Sequence, residues 1–321
     1  MAEIEVRKGI RWYPKQKGAQ KTKPLSFSMQ SIPKRPKPPW LHVKAGSVTS
    51  YFHQVQELLA ANHLITVCEE AFCPNKGECY GNGTAAFMIL GDRCTRRCPF
   101  CDVAHGIPLP PDENEIFALA NVVSQLNLAH VVITSVNRDD LLDGGAAHFV
   151  ACLKAIRERS PKTRVEILTP DFKRKTTIAL NLLTDNPPDI FNHNLETVPR
   201  LYRQSRPGAN YQGSLNLLKS FKERCPQIPT KSGLMVGLGE TDAEVIQTIE
   251  DLYEHGVRML TIGQYLMPSQ YHLPVYRYVA PHIFDWYKEQ AIAIGFDFVA
   301  SAPLVRSSYY AGFQAQAVFA K

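Results

Sequence analysis

Between residues 85 and 300, short apolar runs alternate with amphipathic stretches, and no hairpin signal links neighbouring runs. AAFMIL, HVVITSV, RVEILTP, DIFNHNLE, TKSGLMVGLG and RMLTIGQYL have the character of short buried strands. NEIFALANVVSQLNL, GAAHFVACLKAIRERS, KTTIALNLL, GSLNLLKSFKERC and DAEVIQTIEDLYEHG carry apolar residues at helical spacing. So does HIFDWYKEQAIAIG, which leads into a last run, FDFVASAP. Roughly six strand–helix units in succession predict a parallel sheet with right-handed crossovers. A closed eight-unit barrel takes about 250 residues and about 215 are available, so an open, partial barrel of six units is expected.

That topology brings the strand ends to one rim, where parallel α/β proteins hold their active sites. TSVNRDD, TPDF, NLETV, GLGET and QYLMPS are the polar, turn-prone segments of this rim. The first strand is followed there by DRCTRRCPFCDVAHG, with Cys94, Cys98 and Cys101. Of eight cysteines, six fall between Cys68 and Cys101, and only Cys152 and Cys225 stand apart. No apolar run approaches membrane-spanning length and no signal peptide is recognisable, so no membrane segment and a reducing, cytoplasmic setting are expected. Free thiols crowded in such a chain point to metal.

Soft thiolates select zinc or iron–sulfur clusters. Structural zinc sites close with four ligands, whereas each group here offers three. A 4Fe–4S cluster on three cysteines leaves one iron open to a ligand that is not cysteine. From the residues alone a zinc-bound interaction module, with all six cysteines structural, stays open beside a substrate-binding cluster. Cys152 reads as an apolar filler of a helix, and His105 and His193 as hydrogen-bonded loop histidines.

Up to Trp40 the chain carries ten lysines and arginines against Glu3 and Glu5. This Lys- and Pro-rich head, taken as residues 1–45, reads as an extended arm, either a solvated tail or an electrostatic handle for an acidic protein. Nucleic acid is not expected as a partner, because the body has no basic face and no binding motif. Residues 46–84 form an extension before the barrel at 85–300, and residues 301–321 a C-terminal extension.

Cys-x3-Cys-x2-Cys with Phe100 just before the last cysteine resembles the radical S-adenosylmethionine superfamily. The resemblance implies a partial barrel, a cluster on Cys94, Cys98 and Cys101, and S-adenosylmethionine chelated to the open iron by its amino and carboxylate groups. Reductive cleavage of the sulfonium then yields a 5′-deoxyadenosyl radical. SGLMVGLGE is similar to that superfamily's G-x-I-x-G-x-x-E segment, read as Gly233, Met235, Gly237 and Glu240 near the adenine, with Met235 where a β-branched residue is usual.

VCEEAFCPNKGECY places Cys68, Cys73 and Cys79 at gaps of four and five residues before the barrel. With TSVNRDDL, FNHNLETVPRLY, SGLMVGLGE and the late segment PLVRSSY, this pattern resembles the lipoyl synthase family over nearly the whole chain after the arm. That resemblance implies a second 4Fe–4S cluster on Cys68, Cys73, Cys79 and a serine of RSSY. Ser308 is the mapped ligand and Ser307 the alternative. It implies insertion of two sulfur atoms, at C6 and C8 of an octanoyl chain amide-linked to a lysine of a carrier domain. The second cluster is the sulfur donor, and two S-adenosylmethionine molecules are consumed per product.

The implied partners are octanoylated lipoyl carrier domains, namely the glycine-cleavage H protein and acyltransferase subunits of 2-oxoacid dehydrogenases. A flavodoxin or ferredoxin electron donor and an iron–sulfur carrier that rebuilds the cluster are implied as well. Thr134, Asn137, Asp139 and Asp140, with Asn194 and Glu196, are candidate S-adenosylmethionine contacts. Arg138 or Arg306 is a candidate for holding a carboxylate or the substrate amide, and Tyr265, Met267 and Pro268 for lining an acyl channel. A different sulfur-inserting or methylthio-transferring member of the superfamily would keep Cys94, Cys98 and Cys101 but lack the upstream spacing with RSSY.

Overall fold

The computed structural model of the chain describes residues 5–7, 10–12, 15–22, 36–42, 49–81 and 85–320. Two short strands, β1 (Glu5–Arg7) and β2 (Ile10–Trp12), pair with each other apart from the main sheet, and α1 (Ala19–Thr22) follows. The extension before the barrel holds α2 (Ser50–Ala61), β3 (Ile65–Thr66), α3 (Val67–Glu70) and α4 (Lys76–Gly81). Next come β4 (Ala86–Ile89), α5 (Glu113–Gln125), β5 (His130–Ser135), α6 (Ala146–Arg159), β6 (Arg164–Leu168) and α7 (Thr176–Asp185). The chain continues through β7 (Ile190–Asn192), α8 (Tyr202–Ser205), α9 (Tyr211–Arg224), β8 (Thr230–Val236) and α10 (Asp242–Glu254). It ends with β9 (Met259–Gln264), α11 (Pro281–Ile294), β10 (Phe298–Ser301) and α12 (Ala311–Phe319).

The six expected strand–helix units run from β4 to α11, and β4 through β10 lie side by side in chain order, each pair parallel. β10, the run FDFVASAP, extends the sheet by a seventh parallel strand. At the opposite edge β3 pairs antiparallel with β4, Ile65 opposite Met88 and Thr66 opposite Phe87. β3 and β10 are the two ends of the sheet order, so the barrel is open. Among the described residues no helix is long and apolar enough to cross a membrane.

The strands are buried on both faces because helices cover one and the barrel interior takes the other; every residue of β4 and of β9 is buried. Side-chain caps fix where helices begin. Asp112 accepts from Asn114 N at 2.9 Å before α5, Asn210 from Gly213 N at 2.7 Å before α9, and Thr241 with Glu244 forms a capping box before α10. Cys152 is fully buried on α6 and serves as an apolar filler, as its position in the helix predicts.

Of the 1–45 arm, most lies outside the described residues, but residues 15–22 do not trail into solvent. Gln16 and His105 exchange backbone hydrogen bonds of 2.8 and 2.9 Å. Lys17 pairs with Glu70 at 2.9 Å and Lys15 with Asp92. Here the charges of Lys15 and Lys17 are met by acids of the same chain.

Inside the barrel, Lys231 and Glu166 form a fully buried ion pair at 2.9 Å, and Asn192 Nδ2 donates to the same carboxylate oxygen at 2.8 Å. Burial acts to raise the Glu166 pKa, but the Lys231 charge and His130 outweigh it and hold the carboxyl down at about 2. A depressed carboxylate contributes stability that is fully present above its ordinary value of 4.5 and is lost as pH falls towards 2. Lys231→Met should therefore lower the unfolding free energy of the metal-free protein by about 3–5 kcal/mol in urea titrations. It should also remove this group's share of the acid dependence between pH 4.5 and 2, and Lys231→Met with Glu166→Leu should recover much of the loss.

Candidate active site

The loop after β4 begins with Leu90 and Gly91, both at positive φ (67° and 86°), which turns the chain sharply over the strand ends. Cys94 N then donates to Ala104 O at 2.8 Å, and Cys101 N to Cys98 O at 3.2 Å. The loop is tied to its neighbours by Arg96. Its guanidinium donates twice to Asp139 (both 2.8 Å) and twice to Asp171 (both 2.6 Å). Burial works against ionised aspartates here, yet the bidentate hydrogen bonds and charge of Arg96 hold both carboxyls below the ordinary range. One side chain thus couples the cysteine loop to the ends of β5 and β6.

The second trio is placed by the antiparallel pairing of β3 with β4, which delivers α3 and Cys68 to the sheet's first edge. Thr66 caps α3 by accepting from Glu69 N at 3.3 Å, and its hydroxyl lies 2.7 Å from the Tyr80 hydroxyl. The segment carrying Cys73 and Cys79 is clamped to the chain's far end. Buried Asn75 donates to Leu304 O at 2.7 Å, and Glu78 accepts from Tyr309 (3.1 Å) and Tyr310. On the other side, Gly263 of β9 lets residues 304–308 approach, since a Cβ there would lie 2.0 Å from Val305 O.

These constraints gather all six cysteines, Ser307 and Ser308 around one cavity of about 520 Å3. Burial pushes the Cys68 thiol up to about 11 and Cys98 to about 12, although Arg206 acts against the shift at Cys98. Binding a soft metal centre must therefore displace protons from them. Among the described residues no three His, Cys, Asp or Glu side chains converge closely enough to hold a single metal ion. Around one zinc, sulfurs at about 2.3 Å from the metal stand nearly in contact. A four-iron cage accepts thiolates held farther apart, so the donor sets fit clusters better than single ions.

Phe100, Thr134, Asn137, Asn194, Glu196, Arg306, Tyr265, Met267 and Pro268 also line the cavity. Asn137 Oδ1 and Ser135 Oγ are buried without a hydrogen-bond partner, which leaves two polar atoms for a ligand. Glu196 sits at φ +73°, uncommon for a residue with a side chain, and burial raises its pKa despite Arg206 and Asn194. Five other candidates are not brought to the cavity. Asp139 has both carboxylate oxygens on Arg96, and Asp140 is held by Arg138 at 2.7 Å. Arg138 itself is a buried clamp that also reaches Leu90 O at 3.3 Å. Gly233 and Gly237 serve packing: a Cβ on Gly233 would meet Asn194 Oδ1 at 2.7 Å, and one on Gly237, at φ +101°, would meet Gln264 Nε2 at 2.2 Å. Within the same segment Met235 lines the cavity, and Glu240 accepts from Gly237 N and Leu238 N.

His193 is hydrogen-bonded to Thr169 O (2.9 Å) and Ser214 Oγ (3.0 Å), and burial with Arg206 lowers it to about 4, so it is a neutral structural histidine. Sequence reasoning did not single out Arg206, Arg96, Ser135 or Lys21. Arg206 is buried, donates to Asn194 O at 3.0 Å and lines the cavity, yet its context RPGAN reads as an ordinary turn.

The Radical SAM superfamily pattern matches residues 88–252. The crystal structure of SuiB from Streptococcus suis bound to S-adenosylmethionine shares the fold. It is 12% identical, with a TM-score of 0.53 over 71% of this chain and 54% of that one. The chain is a member of the radical S-adenosylmethionine superfamily. Lipoyl synthase of Janthinobacterium sp. (strain Marseille) is 57% identical over 304 residues, 95% of this chain and 92% of the relative. That of Cupriavidus necator is 56% identical over 307 residues, 95% and 93% of the two chains. Within the superfamily, the chain belongs to the lipoyl synthase family.

Gly263→Ala should drive the C-terminal segment off β9, because the obstructing atom is backbone. Hydrogen exchange of residues 304–310 should rise about tenfold or more, a local loss near 1.4 kcal/mol, while the strands β5 and β6 keep their protection.

Proposed function

We propose that this chain replaces one C–H bond at C6 and one at C8 of an octanoyl chain with bonds to sulfur, the chain being carried on a lysine of a lipoyl carrier domain. One observation carries the reading: two cysteine trios and Ser308 converge on a single cavity whose remaining wall is largely apolar. When bound, the two 4Fe–4S clusters and S-adenosylmethionine supply the hydrogen-abstracting radical and the sulfur.

Cys94, Cys98 and Cys101 are the proposed ligands of the cluster that takes S-adenosylmethionine, and Cys68, Cys73 and Cys79 those of the sulfur-donating one. Ser308 is favoured over Ser307 as the seventh protein ligand. The Ser307 hydroxyl donates to Asn194 Oδ1 at 2.8 Å and accepts from Asn192 Nδ2 at 3.1 Å. No side-chain hydrogen bond engages Ser308 among the described residues. A hard alkoxide is a poorer match than thiolate for iron, which favours release at that corner.

Thr134, Asn137, Asn194 and Glu196, joined by Ser135, orient the polar parts of S-adenosylmethionine. Asn137 and Ser135 offer unpartnered oxygens for this. Met88, Val132, Leu168 and Met235 face the cavity and would take the acyl chain, at about 0.8 kcal/mol per buried methylene, while keeping water from the reacting carbons. Residues 46–84 and 301–321 act as one closing unit in this reading. The carriers are the H protein and acyltransferase subunits, with flavodoxin or ferredoxin as electron donor, an iron–sulfur carrier for rebuilding, and the cytoplasm as the setting.

Air-free protein should carry about eight irons. With reductant, S-adenosylmethionine and an octanoyl-lysyl carrier, mass spectrometry should find two added sulfurs, with no net loss of hydrogen in the dithiol and two hydrogens fewer in the disulfide; colourless, zinc-loaded protein would sink the reading. Ser308→Ala should reduce sulfur insertion about tenfold or more, measured beside S-adenosylmethionine cleavage, which should stay within about threefold of the parent.

A further inference from the structure

Lys21 is a charge in an unusual place. Its side chain is 1% exposed, and its ammonium donates to Cys101 O at 2.7 Å and Val103 O at 2.6 Å, inside the turn that follows the last cysteine of the loop. It also lines the cavity beside Cys94, Cys98 and Cys101. An ammonium has three N–H donors, and two of them are accounted for. No carboxylate among the described residues lies within ion-pairing distance of Lys21; Asp102, which lines the same cavity, stands instead 3.5 Å from His272 Nε2. A cation withdrawn from water without a counter-charge is costly. Two carbonyl dipoles offset this only in part.

The position is not an accident of a long side chain finding a groove. The backbone around Lys21 is fixed independently, by the Gln16–His105 bonds and by Arg97, which donates to Gln20 O at 3.2 Å and Lys21 O at 3.0 Å. Two other buried cations near these thiols are matched differently. Arg96 is held by Asp139 and Asp171, and the field of Arg206 is shared among Tyr202, Glu196, Cys98 and Asp171 while its Nη1 donates to the Asn194 and Leu195 carbonyls. Lys21 has no ion-paired carboxylate among the described residues and lines the cavity beside Cys94, Cys98 and Cys101.

We propose that Lys21 is a positioning residue for the iron–sulfur cluster of Cys94, Cys98 and Cys101, supplying its counter-charge and favouring its one-electron reduction. The proposal rests on the assignment of those three cysteines under the function above. A low-potential one-electron donor gives up an electron and the cluster gains it, becoming more negative by one charge. A fixed cation in a water-poor site stabilises that added charge far more than water would. The same ammonium holds the Cys101–Val103 turn through its two carbonyl bonds, so charge and shape act at one place. They are separable, because Gln keeps N–H donors without the charge and Arg keeps the charge.

The test is an EPR-monitored redox titration of air-free, full-length protein carrying both clusters, as parent, Lys21→Gln and Lys21→Arg. The titrated centre is identified by the change in its signal when S-adenosylmethionine is added. Lys21→Gln should shift the reduction equilibrium towards the oxidised state about tenfold, which is 59 mV for one electron, with iron content retained. Lys21→Arg should stay within about threefold of the parent. An unshifted Lys21→Gln protein would overturn the proposal, as would Lys21→Arg shifting equally. If Lys21→Gln loses the cluster, recovery of loading in Lys21→Arg supports the counter-charge and failure of both overturns it. Cys98→Ala protein that kept the responsive signal would instead remove the ligand assignment underneath.

Discussion

An open barrel has two unpaired edges, and in this chain they are joined by side chains instead of strand pairing. Asn75 reaching Leu304, and Glu78 taking both Tyr309 and Tyr310, link a segment before the first barrel strand to one after the last. These contacts span more than 220 residues of sequence and cost loop-closure entropy that only a preformed sheet makes tolerable. Because the edges are held apart by the sheet and bridged by the extensions, the space between them becomes a cavity. Its walls are the two cysteine segments and the RSSY turn.

Parallel strands in chain order do the rest of the arrangement. Every loop at the C-terminal ends of β4 to β9 reaches the same rim, so Arg96 on one loop can hold Asp139 and Asp171 on the next two. The polar interior behind that rim is a chain of contacts, from Lys231 to Glu166, Asn192, Ser307 and Asn194. It engages the Ser307 hydroxyl in two hydrogen bonds, while both Ser307 and Ser308 line the cavity. Asn194 at the cavity and the RSSY turn thus share one chain of hydrogen bonds with the barrel interior.

The strand–helix order, the openness of the barrel and the cysteine trios were legible because each is written in local periodicity or spacing. Cys152 as filler and His193 as a bonded loop histidine were legible for the same reason. The assignments that moved were those where a residue type fits two jobs. Asp139 lies in the loop after β5 and Gly233 in the middle of β8; one answers a guanidinium from another loop and the other clears space for Asn194. Lys21, Arg206 and Gly263 were illegible because their roles arise from approaches between segments far apart in sequence, which no window of local pattern contains. In the basic arm, a count of lysines does not reveal that Glu70 and Asp92 stand opposite Lys17 and Lys15.

The anchors of the RSSY turn have a further consequence. Asn75, Glu78, Gly263 and the Asn192–Ser307–Asn194 link fix that turn, and none of them is a proposed cluster ligand. On the proposed ligand assignment, a donor that surrenders its own sulfur in each round would leave behind a mould held by these contacts, so that refilling would call for delivery and not for refolding.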